Sequence, residues 1–391
     1  MSEPHSTPAT PRSKPAKPYS EYPLFAHAAG VWAKKIRGKL HYSGPWDDPE
    51  AALAKYLEQK DSLHAGRTPR PDPAGLTIKD LANAFLQAKQ ALVDAGELAR
   101  LTWGDYKTAC DEVVAVFGKN RLLADVAPDD FARLRDRLAK KWGPHRLGKT
   151  IQFVRSVFKY AFEAGLIDSQ TCFGPGFKRP SKKTLRIHRA KQGPKLFTAE
   201  EIRRLLDAAG GQLRAMILLG NNCGYGNSDC GNLLQTAVDL DAGWVRFPRP
   251  KTGIDRRCPM WPETVAAVRE ALDARPEAKK AEHSGLVFIT RYGDSWHTGT
   301  TYGPLSREFS KLLRRLRINS RNGLGFYSLR HSHRTVADEA RDQPAADYIM
   351  GHARDDMASV YRERISDDRL KAIAEYVRRW LFAEKGAPPV E

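Results

Sequence analysis

The sequence lacks a long apolar run. No stretch approaches the ~18–20 residues of a membrane-spanning helix, which argues against a membrane protein. The first segment, "MSEPHSTPATPRSKPAKP", has no apolar core of the kind a signal peptide needs. It reads as a disordered basic tail. Cysteine is scarce: Cys110, Cys172, Cys223, Cys230 and Cys258 are odd in number and scattered, with no CxxC. That pattern argues against a disulfide frame or a cysteine zinc site, and suits reduced thiols in a cytosolic protein. HExxH, a Walker A loop, a dinucleotide fingerprint and repeats of solenoid period are all missing. Acid is in short supply as well. Asp+Glu total 46 against 64 Lys+Arg, a net charge of +18. Such an excess calls for a polyanion, and without a membrane segment nucleic acid is the stronger candidate.

What is present divides into segments. Residues 1–24 form the tail. Residues 25–66 read as a small β-β-α unit: "VWAKKIRGKLHYS" is a hairpin turning at Arg37-Gly38-Lys39, and a helix follows from about Pro49 to Leu63 with Leu53, Tyr56 and Leu57 on one face. Its cations Lys34, Lys35 and Arg37 suit a phosphate backbone or, equally, a solvated edge. "RTPRPDPAG", 67–75, is a linker. A four-helix domain spans 76–168. Its first helix begins at a Thr77/Asp80 capping box, its third at Pro128-Asp129-Asp130, and its fourth ends at Gly165.

Residues 169–196 form a basic linker. Within it, 177–195 holds eight Lys/Arg and no acid, and Pro180 and Pro194 disfavour a helix. Lys178, Arg179, Lys182, Lys183, Arg186 and Arg189 make it either a solvated linker or a cationic strap against DNA, where each neutralised phosphate releases counterion. A larger α+β domain, 197–385, starts at a Thr198/Glu201 capping box. Two helices lead to "WVRFPRPKTGIDRRCPM", two strands around a Pro-Lys-Thr-Gly turn. "GLVFIT", 285–290, reads as a third strand. Helices follow at about 302–316, 328–341, 344–350 and 366–383. The fold class is thus mainly α and multidomain, with a small antiparallel sheet in the last domain.

Four pieces of that domain carry chemistry. Lys251 sits at the hairpin turn. "YSLRHSHR", 327–334, puts Arg330 near a helix start. His352 follows a glycine, and Tyr361 comes nine residues later. Phosphodiester cleavage by covalent catalysis needs a nucleophile, cations on the non-bridging oxygens and an acid for the leaving oxygen. A phenol, a guanidinium, an imidazole and an ammonium supply these without a metal or other cofactor.

The order "YSLRH", "GH", then Tyr361, with Lys251 upstream, resembles the tyrosine recombinases of the phage integrase family. The domain order resembles them too, over roughly residues 25–385. The resemblance implies an integrase-like, DNA breaking-rejoining fold and a site-specific recombinase or integrase of a mobile element. Tyr361 would form a 3′-phosphotyrosine and free a 5′-hydroxyl. Arg330 and His352 would hold the phosphate, and Lys251 would protonate the leaving oxygen. Tyr327 stands where the family most often has histidine. The resemblance also implies double-stranded DNA as partner, a homo-tetramer on paired sites, a cytoplasmic, nucleoid-associated location, and room for accessory DNA-bending proteins. The apolar face of the helix at 366–383 suits docking on a neighbour or packing on its own domain.

One position departs sharply. "CGYGNSDCGNL", 223–233, matches the family's "TGLRxSEL" at Gly224, Ser228 and Asp229, but Gly226 stands at the arginine. Loss of such a donor typically costs about 10²–10³ in rate. Another cation takes its place, with Arg334 the first candidate and Arg214 and Arg354 behind it, or the chain is a catalytically impaired DNA-binding protein of architectural or regulatory type. A type IB topoisomerase would use the same phosphotyrosine chemistry.

Overall fold

The computed structural model describes residues 14–66, 75–299, 302–318, 323–352, 357, 361 and 363–383. The chain packs as two compact units. One comprises Met1–Phe85, Cys110–Leu134 and Val154–Gly176; the other comprises Leu86–Ala109, Arg135–Phe153 and Phe177–Glu391. Both are mainly helical, and the regular strands among the described residues form two three-stranded antiparallel sheets.

The first unit opens with β1 (Phe25–His27), β2 (Val31–Ile36) and β3 (Lys39–Pro45), paired in that order. The β2–β3 loop is the two residues Arg37 and Gly38, at φ 50° and 82°. This left-handed pair matches the right-handed twist of the strands. Alternation sends Trp32 and Ile36 inward against α1 (Pro49–His64), where Ala52, Tyr56 and Leu63 meet them. The sequence pattern misses β1, because three residues are too few to show alternation. Tyr22 and Leu24, read as tail, are buried in this core, and the Tyr22 hydroxyl donates to the Pro49 carbonyl at 2.6 Å. Leu57 is 54% exposed, since one residue beyond Tyr56 rotates it about 100° off the buried face.

α2 (Ile78–Asp94), α3 (Arg100–Phe117), α4 (Pro128–Lys141) and α5 (Pro144–Glu163) contribute to both units. Thr77 and Asp80 make the expected capping box: the threonine hydroxyl donates to Asp80 Oδ2 at 2.6 Å and accepts from the Asp80 amide at 3.2 Å. Edge-to-face rings fill the core of the first unit, with Phe117–Phe131 centroids 5.2 Å apart and Phe131–Phe158 5.0 Å apart.

The second unit corrects two readings. The basic segment contains α6 (Lys182–Gln192). Ser181 caps its start by accepting from the Thr184 amide at 3.1 Å, and Gly193 ends it at φ 70°. Pro180 and Pro194 lie just outside those caps, so they bound the helix and do not break it. Residues 285–290 form no regular strand. Leu286 and Ile289 make isolated bridges to Leu234 and Ser295. The third strand of the sheet is β4 (Val238–Asp239), beside β5 (Trp244–Arg246) and β6 (Arg257–Pro259). A short buried apolar run satisfies a strand pattern without needing to be one.

Around this sheet lie α7 (Ala199–Ala208), α8 (Gly211–Asn222), α9 (Asn227–Gly231), α10 (Pro262–Asp273), α11 (Pro304–Arg315), α12 (Ser328–Glu339), α13 (Gln343–Met350) and α14 (Asp367–Phe382). α8 is buried from Ala215 to Asn222 and forms the axis of the core. Asn222 fastens its C-terminus to β6: its Nδ2 donates to the Pro259 carbonyl at 3.1 Å and its Oδ1 accepts from the Trp261 amide at 2.9 Å. Leu370, Ile373, Val377 and Leu381 of α14 are buried in this same core, so its apolar face packs on its own domain.

Candidate active site

Arg330 is the centre of the site. It lies in the first turn of α12 and is only 2% exposed. One guanidinium nitrogen donates to the Gly224 carbonyl at 2.5 Å; the other donates to the Met350 carbonyl at 2.6 Å and to His352 Nε2 at 2.8 Å. Two chain segments, at Gly224 and at Met350–His352, therefore converge on one guanidinium.

Two glycines make that approach feasible. Gly224 has φ 62°, and a Cβ there would lie 3.0 Å from the His333 ring and 3.2 Å from Met350. Gly351 ends α13 at φ 63°, the left-handed position that glycine takes after a helix. A Cβ there would lie 3.0 Å from Arg249 Cβ and 3.1 Å from Arg256 Cδ. The turn brings His352 back so that its amide donates to the Asp347 carbonyl at 2.9 Å. Because His352 Nε2 accepts from Arg330, its proton sits on Nδ1, 3.5 Å from Asp347 Oδ1.

The electrostatics follow from burial among cations. Burial, then the neighbouring Arg249, push Arg330 down to about 10. Burial also lowers His352, with Arg330 and Arg249 adding to the effect and Asp347 opposing it. The pocket thus carries positive charge with a neutral imidazole at its edge, an arrangement suited to an oxyanion.

The hairpin supplies two further arginines that the sequence reading passed over. Arg256 is 1% exposed, and its guanidinium lies 4.3 Å from the Tyr225 ring centroid. It donates to Asp229 Oδ1 at 2.5 Å and to the Phe247 carbonyl at 2.9 Å. Asp229 Oδ2 in turn accepts from the Gly226 amide at 2.6 Å. Arg249 donates to the Gly351 carbonyl at 3.3 Å. Their signal was strand pairing: Phe247 and Arg256 are hydrogen-bonded partners, as are Arg249 and Ile254, so the hairpin brings both arginines to the Gly351 turn.

The other expected residues are distributed as follows. Lys251 is exposed at the hairpin tip and makes no hydrogen bond or ion pair among the described residues. Tyr361 is 77% exposed and likewise makes no hydrogen bond among them. Tyr327 lies over Gly226: a Cβ at 226 would meet its ring at 3.1 and 3.2 Å. Arg334 is held by Asp338 at 2.9 Å and by Asp347 at 2.5 Å, which engages the charge that a replacement cation would need. Arg214 donates to the Leu206 carbonyl at 3.4 Å, at the end of α7. Arg354 lies outside the described residues. Lys178, Arg179, Lys182, Lys183, Arg186 and Arg189 are all exposed, as are Lys35 and Arg37; Lys34 is half-buried. No cluster of metal-ligating side chains occurs among the described residues, and no helix there is long and apolar enough to cross a membrane.

Residues 195–366 match the model of the phage integrase family. Among curated proteins, none matches the chain. Solved structures similar to it include a lambda integrase dimer bound to a COC′ core site, at 16% identity and TM-score 0.53, covering 93% of this chain and 99% of that one. A lambda integrase tetramer bound to a Holliday junction aligns at 15% identity and TM-score 0.54, covering 89% and 98%. The Tn1549 transposon integrase (residues 82–397) in complex with transposon right end DNA aligns at 17% identity and TM-score 0.54, covering 78% and 100%. At these identities the likeness is one of fold.

Proposed function

From the match of residues 195–366 to the phage integrase family model, we propose that the chain is a site-specific recombinase that cuts and rejoins double-stranded DNA through a 3′-phosphotyrosine. The observation that carries the reading is the Arg330–His352 contact inside the family domain. A buried guanidinium beside an imidazole, held by fixed backbone carbonyls, is preorganised for the scissile phosphate.

Tyr361 Oη gives its proton to water as it attacks phosphorus, the bond to O5′ breaks, and Lys251 gives its proton to the departing 5′-oxygen. Arg330 holds the non-bridging oxygens, and His352 donates to the same phosphate in its Nε2-protonated form, once Arg330 turns from the imidazole to the phosphate. The phosphotyrosine conserves the bond, so a 5′-hydroxyl from a partner strand reverses the step without ATP. The scheme uses no metal or cofactor. The solved lambda integrase tetramer on a Holliday junction supports a tetramer on paired sites here. We place the protein in the cytoplasm, on the nucleoid.

A second reading has its own support. The Tyr327 ring covers Gly226, where the family carries an arginine. A DNA-binding protein with slowed or lost chemistry would tolerate that exchange.

A trapping assay separates the readings. The protein and a Tyr361→Phe control are incubated with suicide duplexes cut from the DNA flanking its own gene. The expected result is an SDS-resistant, protease-sensitive adduct that Tyr361→Phe does not form. Salt-sensitive binding without an adduct would favour the second reading. Site-independent relaxation of supercoiled plasmid would favour a type IB topoisomerase.

A further inference from the structure

The recombinase reading leaves the phosphate site short of one guanidinium, at Gly226. The cations around Arg330 differ in what already holds them. Arg256 is paired with Asp229, Arg334 with Asp338 and Asp347, Arg246 with Asp255, and Arg257 with Asp367. Of the arginines on the hairpin and α12, Arg330 and Arg249 are the two that form no ion pair among the described residues. They donate to adjacent carbonyls, Met350 and Gly351, on the turn that carries His352. Two guanidinium groups set side by side without an acid repel one another, and burial of one of them deepens the cost. Such a pair suits an anion that binds between them.

Arg249 is also held in place. Pro248 and Pro250 restrict the backbone on either side of it. Its amide donates to the Ile254 carbonyl at 2.9 Å, and its carbonyl accepts from Thr252 at 3.0 Å and Gly253 at 2.8 Å. Its side chain packs on Gly351, where any larger residue would displace it. Unlike Arg256, it is not sealed from solvent, so its remaining donors are open to a ligand.

We propose that Arg249 is the second guanidinium of the phosphate site, a catalytic residue that contacts a non-bridging oxygen of the scissile phosphate from the hairpin and does the work of the arginine absent at 226. Arg330 takes the other oxygen. Each planar fork donates to an oxygen without needing to share a carboxylate. This assignment rests on the recombinase reading for its substrate, but not for its anion site.

The test uses the full chain, Arg249→Ala and Arg249→Lys, on suicide duplexes with either a normal scissile phosphate or a methylphosphonate there. The methylphosphonate has one non-bridging oxygen replaced by methyl and so needs one cation fewer. Arg249→Ala is expected to keep most of its DNA affinity, losing one phosphate contact among many, and to form the adduct about 10²–10³-fold more slowly at saturating protein. That defect should narrow at least about tenfold on the methylphosphonate, as the loss of a charge contact requires. Arg249→Lys should fall between. Cleavage by Arg249→Ala at the wild-type rate, or an equal defect on both duplexes, would overturn the assignment.

If the wild type forms no adduct, the recombinase reading fails by itself. Melting in rising inorganic phosphate then decides the anion site. Stabilisation of the wild type that Arg249→Ala lacks supports it; equal shifts, or none in either protein, reject it.

Discussion

His333 is fully buried next to Arg330, with Nδ1 2.8 Å from the Asn221 carbonyl and Nε2 without a partner. Burial drives its pKa down to about 4, with Arg330, Arg334 and His352 adding and the Asn221 hydrogen bond opposing. In the unfolded chain an imidazole titrates near 6.5. Between those values the unfolded state takes a proton that the folded state refuses, so stability is full above about 6.5 and falls as pH drops toward 4. The slope from one such group reaches roughly 1.4 kcal/mol per pH unit. His331 and His352 are shifted in the same direction and leave a shallower residual slope. His333→Leu should therefore show a flatter fall of melting temperature between pH 6.5 and 4 than the wild type. Identical slopes would put the acid loss elsewhere. Single residues also mark what sequence spacing can carry. Arg330 and His352 were legible because a short motif names each. Gly226 and Tyr327 read as two separate departures, yet one ring covers the other position. Their coupling joins residues about a hundred apart in sequence, beyond any local pattern. Arg249 was missed for the same reason, since its partner is the Gly351 carbonyl.

Elements were most legible where their ends carry their own chemistry. Both capping boxes, at Thr77 and Thr198, form as the sequence implies. The basic segment misled because its prolines were weighed as breakers when they flank the caps. As a helix, α6 acquires a geometry that a linker would lack: Lys182, Arg186 and Arg189 recur at i, i+4 and i+7 and share one exposed face. Leu185 and His188, on another side, are half-buried. If that cationic face follows a phosphate backbone, each lost contact removes about 0.9 from the slope of log K against log salt. The triple change Lys182→Ala, Arg186→Ala, Arg189→Ala should lower the slope by up to about 2.7 and weaken every duplex alike. Helicity should change little, since alanine is the strongest helix former. An unchanged slope would return the face to solvent.

At the scale of the whole molecule, the net charge of +18 is unevenly placed. Residues 25–66 carry six Lys/Arg against five Asp/Glu, so this unit adds little to the total. Its cations Lys34, Lys35, Arg37 and Lys39 gather on the β2–β3 hairpin, whereas its acids begin at Asp47 and continue along α1. General attraction for DNA thus resides mainly elsewhere, and a binding role for this unit requires selectivity at the sheet. Aromatic and apolar side chains on its strands, Phe25, Leu40 and Tyr42, are exposed beside Lys35 and are suited to groove contacts. Deleting residues 1–70 should therefore leave salt-dependent binding to arbitrary duplexes nearly intact. Affinity should fall for one class of site in the DNA flanking the gene, measured by competition against a scrambled duplex of equal length. Residues 1–70 carry eleven Lys/Arg against seven Asp/Glu, so an equal loss on every duplex would mean that the segment acts through that charge alone and that the exposed sheet has no reading role.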